Sequence, residues 1–271
     1  MSRRRLMSLA GLVGAATLGP VWMFGVEPRW VDWTTQDLIV GGLPNRLHGA
    51  RMLHLSDIHA SAAVPLDFVA RVVDRINLNP PDLLVITGDL VTEDRSYIAG
   101  ITELLGRIEA RLGRFAILGN HDYWTDGPAV SRALERHGVH HLRNESAWVG
   151  GPGGLRLVGV DDHWTGNDDL EAAMAGVGQE EAQILLMHSP DLIVPASKAR
   201  VPFALCGHTH GGQVRLPWYG ALVTPSALGY QQGTYRHRGT QMYVNRGLGT
   251  LDLKVRLNCR PEVHEVRLIS P

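Results

Sequence analysis

From residue 51 onward, short apolar runs end one after another in small clusters of Asp, His and Asn, and this repetition limits the possible folds sharply. Met52-Leu53-His54-Leu55-Ser56 reads as a strand and runs into Asp57-Ile58-His59. Phe68, Val69, Val72, Val73 and Ile76 then recur at helical spacing. The buried strand 83–87 leads to Gly88-Asp89. A second helical stripe (Ile101, Leu104, Leu105, Ile108, Leu112) precedes strand 115–118, which leads to Gly119-Asn120-His121-Asp122. Strands alternating with helices at this spacing predict βαβ units and a largely parallel sheet.

After Gly150-Gly151-Pro152-Gly153-Gly154 the pattern changes to strands at 155–160, 184–187, 203–206, 213–216, 241–244 and 263–268, with fewer helices between them. A second sheet packed on the first with helices outside accounts for both halves. The predicted fold is α/β, a four-layer αββα sandwich preceded by an N-terminal apolar helix. No fixed-period repeat, low-complexity run or linker interrupts residues 35–271, so one catalytic domain follows a segment at 1–34.

Two further strands end in polar clusters: 184–187 in His188, and 203–206 in Gly207-His208-Thr209-His210. Ligands of open α/β sheets gather at the carboxyl ends of strands, so five such ends can converge on one site. Glycines before Asp89, Asn120 and His208 permit sharp turns there. Asp, His and Asn without cysteine suit Mn²⁺, Zn²⁺ or Fe. Asp-x-His and His-x-His put alternate residues on one side of an extended chain, so both members reach the same ion. Seven ligands exceed one tetrahedral ion but suit two ions sharing a carboxylate, the arrangement that drives in-line attack on phosphorus.

Composition closes other routes. Hydrophobic residues at 44% and charged residues at 20% support a sizeable core. A net charge of −1 and no basic stripe with interleaved aromatics argue against nucleic acid as a partner. Two cysteines, Cys206 and Cys259, allow one bridge at most.

The chain opens Met-Ser-Arg-Arg-Arg and then carries no charge from Leu6 to Val26. A basic start before an apolar stretch reads as a signal peptide or anchor, and Ser2-Arg3-Arg4-Arg5-Leu6 loosely resembles a twin-arginine export signal. Trp22, Trp30 and Trp33 follow as interfacial anchors do. Membrane association through 1–26 is expected, with the domain in a bacterial cell envelope. The arginines ahead of the stretch favour an outward-facing domain.

Asp57-x-His59, Gly88-Asp89, Gly119-Asn120-His121-Asp122, His188 and Gly207-His208-x-His210 resemble, in order, the five blocks of the calcineurin-like metallophosphoesterase superfamily. The resemblance implies two divalent ions and a nucleophilic hydroxide bridging them. It implies Asp57, His59 and His210 on one ion, Asn120, His188 and His208 on the other, and Asp89 on both. His121 resembles the family's general acid, with Asp122 orienting it; a helix cap or loop role is the alternative for Asp122. Arg246, in Asn245-Arg246-Gly247-Leu248-Gly249, is a candidate contact for a substrate phosphate, with a structural salt bridge as the alternative.

Within the superfamily the motifs resemble bacterial membrane-associated or twin-arginine-exported phosphodiesterases and UDP-2,3-diacylglucosamine pyrophosphatase-like proteins of lipid A synthesis. The implied activity is hydrolysis of phosphodiester or pyrophosphate bonds in a phosphorylated small-molecule or lipid substrate. A non-catalytic scaffold and a nuclease are the competing classes. His54 reads as a core histidine, His140, His141 and His163 as surface residues, and Asp161-Asp162 as a turn or a cleft lining.

Overall fold

The computed structural model describes residues 18–251 and 253–271. The first half contains β1 (Asp32–Ile39), β2 (Arg51–Leu55), α1 (Leu66–Asn77), β3 (Leu83–Thr87), α2 (Tyr97–Gly106), β4 (Arg114–Ile117), α3 (Asn120–Arg136) and β5 (His140–His141). The second half contains β6 (Glu145–Val149), β7 (Leu155–Gly159), α4 (Leu170–Ala173), β8 (Gln183–Leu186), α5 (Ile193–Lys198) and β9 (Phe203–Cys206). It ends with β10 (Arg215–Leu216), β11 (Gly220–Ala221), β12 (Gly233–His237), β13 (Thr240–Val244) and β14 (Glu262–Ile269).

One six-stranded sheet runs β1-β14-β2-β3-β4-β5 and the other β12-β13-β9-β8-β7-β6; β10 and β11 pair separately. Neighbours are parallel except β14 with β2, β12 with β13 and β6 with β7. Strand periodicity sorts the side chains into layers. Leu53, Leu55, Leu84 and Ile86 turn to the helix side and pack with Val69, Val73 and Ile101. Met52, Leu83, Val85 and Ile117 turn inward and meet Leu157, Ile184, Leu186 and Leu205 of the second sheet. On the far side, Leu185, Met187 and Cys206 pack with Ile193 and Ala196 of α5. Helix, sheet, sheet and helix layers give the αββα sandwich.

The structure differs from the sequence reading in several places. β1 carries the polar run Asp-Trp-Thr-Thr-Gln-Asp and only Leu38 of its eight residues is buried, so it lacks an apolar signal; β14 recruits it by backbone pairing. The strand expected at 213–216 shortens to Arg215–Leu216. Gln213 adopts a left-handed φ of 52°, and its side chain bonds both backbone groups of Leu251. At the N-terminus, Val21–Val26 form a short helical turn. Most of the expected anchor, residues 1–17, lies outside the described residues, and among the described residues no helix is long and apolar enough to cross a membrane. Glu27 is buried and its Oε1 accepts from the Cys259 N–H at 2.7 Å, so residues 27–34 are built into the folded body.

Candidate metal centre

The parallel ends of β2, β3 and β4 bring their loops side by side, and backbone bonds extend the ladder past the strands. Asp57 N donates to Gly88 O at 3.0 Å and His59 N to Asp89 O at 3.0 Å. Asp57, His59, Asp89, His208 and His210 all adopt left-handed backbone, with φ of 48°, 50°, 55°, 70° and 51°. Each such residue costs on the order of 1–3 kcal/mol, and strain of this kind persists where the surroundings over-determine it. The glycines beside the ligands serve proximity as much as turning. A Cβ on Gly207 would overlap Ser56 Oγ and Asp57 Oδ2, and one on Gly119 would overlap Asp89 Oδ1, whereas Gly88 supplies a turn at φ +92°.

Two buried groups result, Asp57-His59-His210 and Asp89-His188-His208, and in each the ligand atoms lie within 4.8 Å of one another. His59 Nε2 faces His210 Nε2 at 2.9 Å, and His210 Nε2 lies 3.4 Å from Asp57 Oδ1. His188 Nε2 lies 3.2 Å from His208 Nδ1 and 3.0 Å from Asp89 Oδ2. Asp89 Oδ2 is also 3.6 Å from His59 Nε2, so it stands between the groups. The second Asp89 oxygen accepts from His121 N at 2.9 Å.

Divalent ions fit this donor set. His188 Nδ1 meets the Thr87 carbonyl at 2.6 Å, and a carbonyl only accepts, so Nδ1 carries the proton and Nε2 is free to ligate. Asn120 Oδ1, His208 Nε2 and His210 Nδ1 are buried without hydrogen-bond partners. Burial holds His59 and His208 down to about 3 and His210 well below its ordinary value, which keeps these rings in the neutral, ligating form. Burial likewise opposes charge on His188, but Asp89 and Asp57 outweigh it and raise the ring well above its usual range. The carboxylates thus draw positive charge into the site, which a divalent ion would supply in place of a proton. Burial raises Asp57 to about 6. It also works against Asp89, yet His188 and His59 hold that carboxyl below the ordinary range.

The structure thus brings six of the seven expected ligands into two groups, and Asn120 stands at the start of α3 with its Oδ1 buried and unpartnered. His121 follows Asn120 at the start of α3, its ring 4.9 Å edge-on from that of His59, with Nδ1 unpartnered. Asp122 does something other than orient His121. Its Oδ1 accepts from Leu90 N at 2.8 Å and Val91 N at 3.2 Å, and its Oδ2 from Gly119 N at 3.0 Å. It therefore fixes the Asp89 loop against the start of α3. Arg246 is similarly occupied, with Nε 3.2 Å from Glu262 and Nη2 2.9 Å from Asp32, which is the salt-bridge alternative rather than a group waiting for phosphate.

Of the remaining candidates, Asp162 is buried with an unpartnered Oδ1 and its charge helps raise the His188 ring, whereas the others fall away from the ligands. His54 is buried and bonds Thr87 Oγ1 at 2.8 Å. His140 and His163 are exposed as expected, but His141 is buried against Ser131. Asp161 is held by Tyr123 OH at 2.6 Å and Arg143 Nε at 3.0 Å, and both cysteines are free thiols. Sequence reasoning missed Arg256, which is fully buried and donates to the carbonyls of Arg246, Gly247, Gly249 and Cys259. That loop in turn donates from Leu248 N and Gly249 N to the carbonyls of Ser56 and Asp57, bracing the first ligand turn. Lys-Val-Arg-Leu carries no signal for such a role. Two exposed tryptophans, Trp124 and Trp164, lie edge-on to His121 at 4.7 Å and to His208 at 4.6 Å.

An αββα sandwich with a paired Asp/His/Asn centre at its strand ends defines a metal-dependent phosphoesterase that uses two divalent ions. Residues 50–212 match the calcineurin-like phosphoesterase family, and the chain belongs to it. It is 32% identical to YkuE of Bacillus subtilis, an uncharacterized metallophosphoesterase, over 97% of this chain and 96% of that one. It is 29% identical to the phosphodiesterase YaeI of Escherichia coli, over 99% of this chain and all of that one. With the UDP-2,3-diacylglucosamine pyrophosphatase LpxG of Chlamydia muridarum it shares 24% over 97% of each chain.

Proposed function

We propose that this chain hydrolyses phosphodiester or pyrophosphate bonds at the paired centre. In this reading Asp57, His59 and His210 hold one ion, Asn120, His188 and His208 hold the other, and Asp89 serves both. The observation that carries it is the position of Asp89 Oδ2, 3.0 Å from His188 Nε2 and 3.6 Å from His59 Nε2. Two ions held there would acidify a bound water and neutralise charge gathering on the phosphoryl oxygens. Asp89 Oδ1 fixes the His121 backbone, and His121 protonates the departing oxygen at the mouth of the site. Asp122 keeps the Asp89 loop and α3 together.

Residues 1–26 act as a signal or anchor segment ahead of the domain, and the substrate is membrane-associated in the cell envelope. The charge-free stretch from Leu6 to Val26 behind three arginines supports this. A second reading, the UDP-2,3-diacylglucosamine pyrophosphatase reaction, draws its support from the full-length similarity to LpxG. The test is turnover with Mn²⁺ on bis(p-nitrophenyl) phosphate, p-nitrophenyl phosphate, a phospholipid and UDP-2,3-diacylglucosamine. Diester hydrolysis well above monoester hydrolysis is expected. No release from any of the four contradicts the proposal, and UMP formation as the dominant activity selects the second reading.

A further inference from the structure

The described residues expose large apolar side chains in two clusters that the hydrolytic chemistry leaves unused. One is Trp22, Phe24, Val26 and Trp30 at the start of the folded body. The other is the β10–β11 hairpin and its return, with Leu216, Trp218, Tyr219, Leu222 and Val223; Trp218 at the turn is fully exposed. The backbone joins them. Arg256 N donates to Met23 O at 3.0 Å, while Leu257 N donates to Gln213 O at 2.9 Å and Arg215 N to Leu257 O at 2.9 Å. Three adjacent rows at ordinary spacing span about 10 Å, so both clusters lie on one face.

The charge around that face is mainly positive. The hairpin and its return, residues 211–225, carry Arg215 and no Asp or Glu. Beside Trp30, a cavity of about 440 Å³ is lined by Arg29, Arg71, Arg75 and Arg260 and by no carboxylate. Arg260 stacks on Trp30 at 4.3 Å and Arg75 on Trp33 at 4.4 Å; Arg71 and Arg260 also touch Asp67 and Asp32 at the rim. Exposed Trp, Tyr and Leu with arginines around them suit a boundary that is apolar below and anionic above. A second copy of the chain would set one cationic face against another. The chain leading into this face is the charge-free run that begins at Leu6.

We propose that this face docks on an anionic lipid bilayer, with the β10–β11 hairpin as a membrane contact separate from the N-terminal segment. The proposal rests on the hydrolase reading only for its purpose. The hairpin follows His210-Gly211-Gly212 directly, and a Cβ on Gly212 would overlap Ala221, so docking sets the metal centre beside the lipid surface.

The experiment uses the full chain with Trp218→Cys carrying an environment-sensitive fluorophore; the native thiols are buried and do not compete. Vesicles of phosphatidylcholine with and without phosphatidylglycerol are added, some with brominated acyl chains. The expected result is a blue shift and bromine quenching, stronger with the anionic lipid. Vesicle partition of Trp218→Ser/Leu222→Ser should be at least about tenfold weaker, the loss that removing large buried apolar side chains brings. Its turnover of soluble bis(p-nitrophenyl) phosphate should be unchanged, which separates this proposal from the hydrolase reading. An unquenched probe on a chain that still binds vesicles overturns the hairpin's role. A probe buried without lipid as concentration rises shows a second copy on this face and overturns it as well.

Discussion

Two buried polar clusters sit within the same sandwich, and their difference separates a reactive site from a structural one. In the Glu262 cluster, between β1, β13 and β14, every oxygen of the carboxylate is taken, and the one open atom is His264 Nε2 at its edge. Glu262 Oε1 accepts from Thr34 and Tyr243 at 2.6 Å each, and Oε2 from the Arg246 backbone at 3.0 Å and guanidinium at 3.2 Å. In the Asp89 cluster, ring nitrogens face one another and a carboxylate across 2.9–3.2 Å, and further buried atoms have no partner. The first cluster closes around Glu262; the second would be completed by cations. Buried polar atoms left open in a native fold point to a ligand.

The largest expected effect breaks the open cluster. His188→Ala and His210→Ala should each lose bound metal and cut turnover by more than about 10³-fold, because the two-metal chemistry needs both ions. The fold should survive, as judged by far-ultraviolet circular dichroism. Wild-type turnover from either variant with one ion bound would refute the pairing.

His121→Ala tests the edge of the same cluster. Loss of a general acid costs typically about 10²–10⁴-fold, concentrated on poor leaving groups. A p-nitrophenyl ester should be affected little and an unactivated alkyl ester strongly, with metal content near normal. Equal loss on both esters would assign His121 a structural role instead.

The closed cluster should respond in stability alone. Glu262→Gln leaves the Arg246 guanidinium with Asp32 only, and breaking a buried pair costs about 3 kcal/mol. The urea midpoint should fall while metal content holds. Metal loss on the scale of the His188 variant would erase the distinction between the clusters.

A smaller effect lies in acid. Burial holds His54 down to about 3 and His264 to about 4, against about 6.5 unfolded. Over that interval the unfolded chain binds more protons than the folded one, so stability falls as pH drops from about 6.5 toward 4. Urea titrations across this range should show a shallower decline for His264→Gln. An unchanged slope would place the acid sensitivity elsewhere.

The open cluster was also the more legible of the two in the sequence. Its ligands follow strand ends directly, so Asp57, Asp89, Asn120, His188 and His208 could be placed from apolar runs and the residue after each. The closed cluster draws on β1, an edge strand with few apolar residues, and on partners more than two hundred residues apart, such as Thr34 with Glu262. Arg246 was therefore visible only as a cation after a strand, without the two carboxylates that occupy it. For Asp122 the cap or loop alternative is the one that holds, and the orienting role fails for a related reason. Adjacency to His121 suggested a partnership, but α3 turns its carboxylate back toward the Leu90 and Val91 amides. Backbone amides from a distant loop leave no mark in a sequence.

The central claim is that Asp89 stands between two ions. The direct test is metal content per chain by mass spectrometry, for the wild type and Asp89→Ala purified with Mn²⁺ or Zn²⁺. Two ions per wild-type chain, and weakened retention of both in Asp89→Ala, are expected, because one carboxylate oxygen faces both groups. A single ion in the wild type, or a variant that keeps both as tightly as the wild type, would contradict the account.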